Sequence, residues 1–307
     1  MNTQSNAMPE ASFQSHGVAP TPISPAHILY WSIRRELWEN RSIYIAPLAV
    51  AALFLFGFAV NMFNLRHRIG ESSVDAAQQH HVLATQYELA AALIMGTALI
   101  IGIFYTLDAL YGERRDRTIL FWKSLPVSDL TTVLSKLAIP IVILPLLSFA
   151  ITVATQFIML LLSSVILAGS GVNTAALWTG TSFFQVSLVL LYHFLTVHGL
   201  WYAPLYGWLL LVSALAPRAP FIWAFLPPFV ICGLEKIAFN TSYCLNTLLY
   251  RLAGPGNPTS PHSSPNDFMA MLIPDHFFST PGLWTGLVVG AAFLFAAVRL
   301  RRRQGPI

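Results

Sequence analysis

The chemistry open to this chain rests on few side chains: 9 His, 13 Asp and Glu, 17 Lys and Arg and 2 Cys among 307 residues. His80-His81 could ligate a metal, yet helical neighbours point about 100° apart, and no carboxylate or cysteine set surrounds them. His193 and His198 are five positions apart in one apolar stretch. That is off the i, i+4 spacing that puts two ligands on one α-helical face, and no H-E-x-x-H is present. A histidine at membrane depth is costly to leave facing lipid, so both are expected to face the bundle interior as packing residues or to line a pathway. No G-x-S-x-G elbow is present, and the lysines, Lys123, Lys136 and Lys236, do not follow a glycine as a P-loop requires. No catalytic residue, bound cofactor or metal is therefore assigned to the chain. Glu88, Asp108, Glu235 and Lys236 are the other ionisable groups within apolar segments. Glu88 can reach the headgroups, Asp108 is expected to pair with Arg114 or Arg115, and adjacent Glu235 and Lys236 need not pair with each other.

The elements that must carry these groups are membrane spans. Only 10% of residues are charged and 55% are hydrophobic, against about 25% and about 45–50% in soluble proteins. Mean hydropathy is +0.62. Apolar segments at Ile43–Phe63, Tyr87–Tyr111, Leu137–Ala168, Thr181–Leu215, Phe221–Tyr243 and Leu283–Val298 meet the roughly 20 residues that a hydrocarbon core requires. The fold class is thus an all-α integral membrane protein with six spans in one domain over 24–303. The third and fourth segments are over-long and contain Pro140, Pro145 and Pro204, so tilts or kinks are expected. The fourth could also be two short spans meeting near His198-Gly199. Residues 1–23 read as a disordered tail without the basic and apolar regions of a secretory signal, and 304–307 as a second short tail. Cys232 and Cys244 lie in one apolar stretch, about 18 Å apart if that stretch is a single helix, and read as apolar fillers.

Charge placement decides the topology, because Lys and Arg near span ends accumulate in the cytoplasm. With six spans and the N-terminus inside, thirteen of the 17 basic residues are cytoplasmic, and only Arg66, Arg68 and Arg251 are outside. Splitting the fourth segment evens the tally to nine against seven, so six spans are favoured. The +4 net charge is then an orientation signal and gives no basic stripe for nucleic acid. The outside loops, 64–86 and 244–282, are too small and polar to form domains.

Ahead of the first span, Ser24 and Pro25 open a helix. Its Leu29, Ile33 and Leu37 recur every four residues beside Tyr30, Trp31, Arg34, Arg35 and Trp38. This is the pattern of a helix lying in the headgroup layer of the bilayer. The largest cytoplasmic loop carries Glu113, Arg114, Arg115, Asp116 and Arg117, then apolar Ile119, Leu120, Phe121 and Trp122, then Lys123. Leu125-Pro126-Val127 forces an extended step, after which Ser128 caps a helix whose positive end Asp129 favours. Such a knob suits docking of a cytoplasmic partner, and the same residues would also serve a solvated loop. In the last span, Gly286 and Gly290 form a small-xxx-small face for close helix approach.

The run Glu113-Arg114-x-Asp116-x-Thr118-Ile119-Leu120, followed by Ser124-Leu125-Pro126-Val127-Ser128 and Lys136, resembles the loop after the second span of ABC-2 type transporter permeases. Six spans with both ends cytoplasmic and an elbow helix before span one are similar to that family as well. A difference lies at Arg117, where many members have glycine before the threonine. The resemblance implies a permease subunit of an exporter in a bacterial inner membrane. Residues 113–129 would be its coupling helix, seated on a separate ATP-binding subunit. Two such subunits, carrying ATP and Mg, would drive a pair of permease chains, identical or different, with the cargo path between them. The uniformly apolar spans favour a hydrophobic or amphipathic cargo. Two other classes remain open at this point: an intramembrane enzyme using His193, His198, Glu235 or Asp108, and a non-transporting scaffold or sensor whose loop binds a regulator.

Overall fold

The computed structural model describes residues 24–71, 76–124, 127–168, 183–255 and 277–305, and every regular element among them is helical. The tail expected over 1–23 and residues Leu125 and Pro126 lie outside the described residues. Helix α1 (Pro25–Glu39) has Pro25 in its first turn and ends where Asn40 leaves helical geometry at φ −109°, ψ 70°. There the Asn40 amide side chain donates to the Glu36 carbonyl at 3.0 Å. Helices α2 (Ser42–Glu71) and α3 (Ala76–Ala109) follow, then the short α4 (Tyr111–Arg115) and α5 (Ile119–Ser124).

Helix α6 (Asp129–Ala138) is capped as expected, with Ser128 Oγ accepting from the Thr131 amide at 3.1 Å. It continues through a π-helical turn (Ile139–Ile143) into α7 (Leu144–Ile166). Pro140 and Pro145 sit at the starts of those two segments. Each lacks the N–H that would continue the i→i−4 ladder, which frees carbonyls and permits the wider winding. The next stretch, α8 (Phe183–His193), passes through a second π-helical segment (Phe194–Trp201) to α9 (Ala203–Leu215). Gly199 lies against the Ile141 carbonyl, where an added Cβ would stand 3.0 Å from the oxygen. Ile141 is four residues before Pro145, so this carbonyl has no α-helical donor at Pro145. The two π-helical segments therefore pack backbone to side-chain-free backbone.

Among the described residues, five helices are long and apolar enough to cross a membrane: Ser42–Asn64, Thr85–Arg115, Asp129–Ile166, Pro220–Phe239 and Pro281–Arg303. A sixth is counted if Ser187–Trp201 and Ala203–Leu215, bent by 44°, form one span. The expected bend in the fourth segment thus occurs at Tyr202, and the third helix begins at Asp129 instead of Leu137. The basic residues of α1, α4, α6 and α12 gather at one end of the bundle, hereafter the basic end.

One expectation is overturned. The apolar stretch that holds both cysteines is not a single helix: α10 (Pro220–Phe239) stops at Asn240, in left-handed geometry at φ 51°. Helix α11 (Tyr243–Ala253) then folds back. Cys232 and Cys244 come within 5.2 Å between Cα atoms and form a disulfide. The Glu235 carboxylate secures the same turn, accepting from Thr241 Oγ1 at 2.7 Å and from the amides of Tyr243 and Cys244 at 2.7 and 2.8 Å. It thereby satisfies N–H groups that open α11.

Lipid is as apolar as leucine, so close contact between helices, more than hydrophobic expulsion, must hold the spans together. The pairing of α9 with α12 (Pro281–Arg303) shows how. A Cβ on Gly207 would stand 3.0 Å from the Gly290 carbonyl, and one on Gly290 would stand 3.2 Å from Pro204 Cα. Gly286 serves differently, since its missing Cβ leaves room for the Arg251 guanidinium of α11. That guanidinium lies over the Trp201 ring at 4.4 Å and donates to the Gly282 carbonyl. Trp201 Nε1 donates back to the Arg251 carbonyl at 3.0 Å.

Candidate functional site

At the basic end, four helices bring ionisable side chains into one buried cluster. Glu36 of α1 is only 1% exposed, and Glu113 of α4, Lys136 of α6 and Arg301 of α12 are also buried. Lys136 Nζ bridges Glu36 Oε1 at 2.9 Å and Glu113 Oε1 at 3.1 Å. Arg301 joins Glu113 at 2.5 Å to Asp129 at 3.1 Å. Arg35 closes on Glu36 at 2.7 Å and stacks over the Trp122 ring at 3.6 Å. The hydroxyl of Tyr105, on α3, donates to Glu36 Oε2 at 2.9 Å. The three cations Arg35, Lys136 and Arg301 balance Glu36, Glu113 and Asp129.

Balance is what lets these charges be buried. Desolvation of a single ion costs several kcal/mol, and a buried pair tolerates that cost only with good geometry on both sides. Burial pushes the Glu36 carboxyl up, but Lys136 and Arg35 together outweigh it and hold the group below its ordinary value of 4.5. Glu39, at the edge of the cluster, is moved up from 4.5 by burial and by the neighbouring Glu36 and Glu113 charges, against the pull of Arg35 and Lys136.

The 113–129 segment is fastened to the bundle at further points. Ser213 Oγ accepts from the amides of Leu110 and Tyr111 at 2.9 Å each, where α3 gives way to α4. Arg114 is buried and donates to the carbonyls of Ala214, in the last turn of α9, and Ala216, just after it, groups that a helix C-terminus leaves without partners. Lys123 Nζ donates to the Gln304 carbonyl after α12 at 2.6 Å. Asp108 pairs with Arg115 at 3.6 Å, and Arg115 with Asp116 at 2.9 Å, both exposed. Between α4 and α5, Arg117 adopts φ 59°. This is the left-handed region that glycine occupies without strain.

Leu120 and Phe121 of α5 are each 59% exposed, with Phe121 edge-on to Trp122 at 4.9 Å. A cavity of about 400 Å³ lies between α1, α5 and α6, bounded by Ile28, Trp31, Arg35, Trp122, Val127 and Thr132. The segment thus presents Leu120 and Phe121 outward beside the exposed Arg115, Asp116, Arg117 and Lys123, while Glu113, Arg114 and Asp129 are tied to the bundle.

His193 and His198 come together, contrary to the reading from α-helical spacing. Residues 194–201 wind as a π-helix, whose i→i+5 repeat brings residues five apart onto one face. Their rings lie 5.9 Å apart, and His198 is buried against Phe194 and Tyr202. Among the described residues, no group of three or more His, Cys, Asp and Glu is placed to hold a metal.

Sequence reasoning placed Glu113, Arg114, Asp116, Phe121, Trp122, Lys123, Val127, Ser128 and Asp129 in one loop, and it missed Glu36 and Arg301 as partners of that loop. The signal for Glu36 was present: it sits three residues after Ile33 and seven after Leu29, on the apolar face of α1. A carboxylate on such a face requires a cation from another element. No protein-family profile, no curated protein and no solved structure matches this chain.

Proposed function

We propose that this chain is the membrane-spanning permease subunit of an ATP-driven, ABC-2 type exporter, with residues 113–129 as the segment that docks on a separate ATP-binding subunit. The observation that carries the reading is the buried ion cluster. It ties the proposed docking segment, through Glu113, Asp129 and Lys136, to α1 and to the end of α12. A push on Leu120 and Phe121 is then passed to the spans through charges that cannot separate cheaply. In this reading the basic end faces the bacterial cytoplasm. The Cys232–Cys244 disulfide supports that orientation, because it joins α11 to the far end of α10 from the basic cluster and disulfides persist in oxidising compartments. Two permease chains would work with two ATP-binding subunits, which supply the ATP and Mg chemistry.

The test is co-purification of the chain with its candidate ATP-binding subunit, comparing the natural 113–129 segment with one substituted over Leu125–Asp129. The reading predicts loss of the complex and of coupled ATP hydrolysis. Unchanged complex formation and hydrolysis overturn it. The His193–His198 pair gives the intramembrane enzyme reading its specific observation. Catalysis by the purified chain without ATP, abolished by His193→Ala, would establish that class instead.

A further inference from the structure

The cations of the buried cluster and of α4 have carboxylate or carbonyl partners; among the described residues Arg34 has aromatic ones alone. Its guanidinium lies over the Trp31 ring at 5.0 Å and over the Trp38 ring at 5.2 Å. Among the described residues no carboxylate lies within ion-pair distance of it. One residue away, and so about 100° around the helix, Arg35 points into the carboxylate cluster. Arg41, in the turn between α1 and α2, is likewise exposed and makes no ion pair among the described residues. Trp31 and Trp38 are 51% and 70% exposed, and Tyr30 stands edge-on to Trp31 at 5.7 Å. Two residues, Asn40 and Arg41, join α1 to α2, whose Ile45 and Leu48 are exposed apolar side chains on a helix long and apolar enough to cross a membrane.

We propose that this face of α1 is a binding site for the phosphate of an anionic phospholipid at the basic end of the bundle, with Arg34 as the phosphate ligand. Both indoles lie within cation–π reach of the guanidinium, and among the described residues no carboxylate takes up its N–H groups. A planar fork of donors matches phosphate geometry. Indole and phenol rings take the headgroup level of a bilayer, where one side is apolar and the other wet. An anionic leaflet attracts basic residues placed at that level. The two-residue link to a span that starts at Ser42 keeps α1 at the membrane surface, where its exposed indoles have their preferred level, and this selects lipid as the occupant. The site does not depend on the ATP-binding subunit.

The test uses the purified full chain in detergent, titrated separately with dioleoyl-phosphatidylglycerol and dioleoyl-phosphatidylcholine, with bound lipid counted by native mass spectrometry. Arg34→Gln is expected to lower phosphatidylglycerol occupancy about fivefold, the effect of one basic residue at an anionic surface, and to leave phosphatidylcholine unchanged. Arg117→Gln removes the same charge from the loop and is expected to change neither. Equal losses from Arg34→Gln and Arg117→Gln would show unspecific charge attraction and overturn the site. So would unchanged phosphatidylglycerol binding in Arg34→Gln, and if that variant also lost the ATP-binding subunit, the face would belong to a protein partner. Arg34 is exposed, so its replacement leaves folding intact, which an unchanged thermal midpoint verifies.

Discussion

Replacing Lys136 with methionine removes the ammonium that bridges Glu36 and Glu113 at 2.9 and 3.1 Å and puts a side chain of similar length in its place. Breaking a buried ion pair from one side costs about 3–5 kcal/mol. Here the lower figure applies. Glu36 keeps Arg35 at 2.7 Å and the Tyr105 hydroxyl at 2.9 Å, and Glu113 keeps Arg301 at 2.5 Å. A loss of about 3 kcal/mol lowers the thermal midpoint by about 5 °C in a chain of this size, read from tryptophan emission of the purified protein in detergent. Adding Glu36→Gln restores charge balance, with Arg35 and Arg301 facing Glu113 and Asp129. The double variant is therefore expected to lose less than the two single losses combined, by about 1–3 kcal/mol of coupling. A Lys136→Met protein that unfolds within about 1 °C of the parent, or single effects that add without coupling, would refute the cluster as a mechanical tie.

Acid weakens the same cluster in a defined window. Glu36 is held below 4.5, so its contribution is fully present above that value and is lost as pH falls through the lower folded value; thermal midpoints should fall below about pH 4.5 in the parent and fall less in Glu36→Gln. Arg117 at φ 59° should accept glycine without loss, whereas Arg117→Val, branched at Cβ, should lose about 1–2 kcal/mol in the same unfolding assay. Gly207→Ala puts a Cβ 3.0 Å from the Gly290 carbonyl, and parting of α9 and α12 should cost about 1–3 kcal/mol, measured as a lower midpoint that Gly57→Ala, in open space, does not share.

The apolar segments were legible because hydrocarbon tolerates few charges, and the Ser128 cap because its geometry is local. The bend at Tyr202 was anticipated from length and Pro204, but its π-helical approach was not. Periodicity counted at 3.6 residues per turn therefore separated two histidines that the wider winding joins. The cysteines were misread because the polar run Asn240-Thr241-Ser242, a turn signal, was absorbed into an apolar stretch; the turn itself depends on the left-handed Asn240 and on Glu235 reaching forward to the next helix. The ion cluster draws one or two residues from each of α1, α4, α6 and α12. Each looks like an ordinary span-end charge until the helices are assembled.

The most direct test of the proposed function separates docking from transmission. Reconstituted with the ATP-binding subunit, the parent chain, a Leu120→Glu/Phe121→Glu variant and Lys136→Met are compared for complex formation and for ATP hydrolysis stimulated by the membrane chain. The account predicts that the first variant loses the complex, because its exposed apolar pair is the contact, and that Lys136→Met keeps the complex but loses the stimulation. Parent-like stimulation in both variants would contradict it.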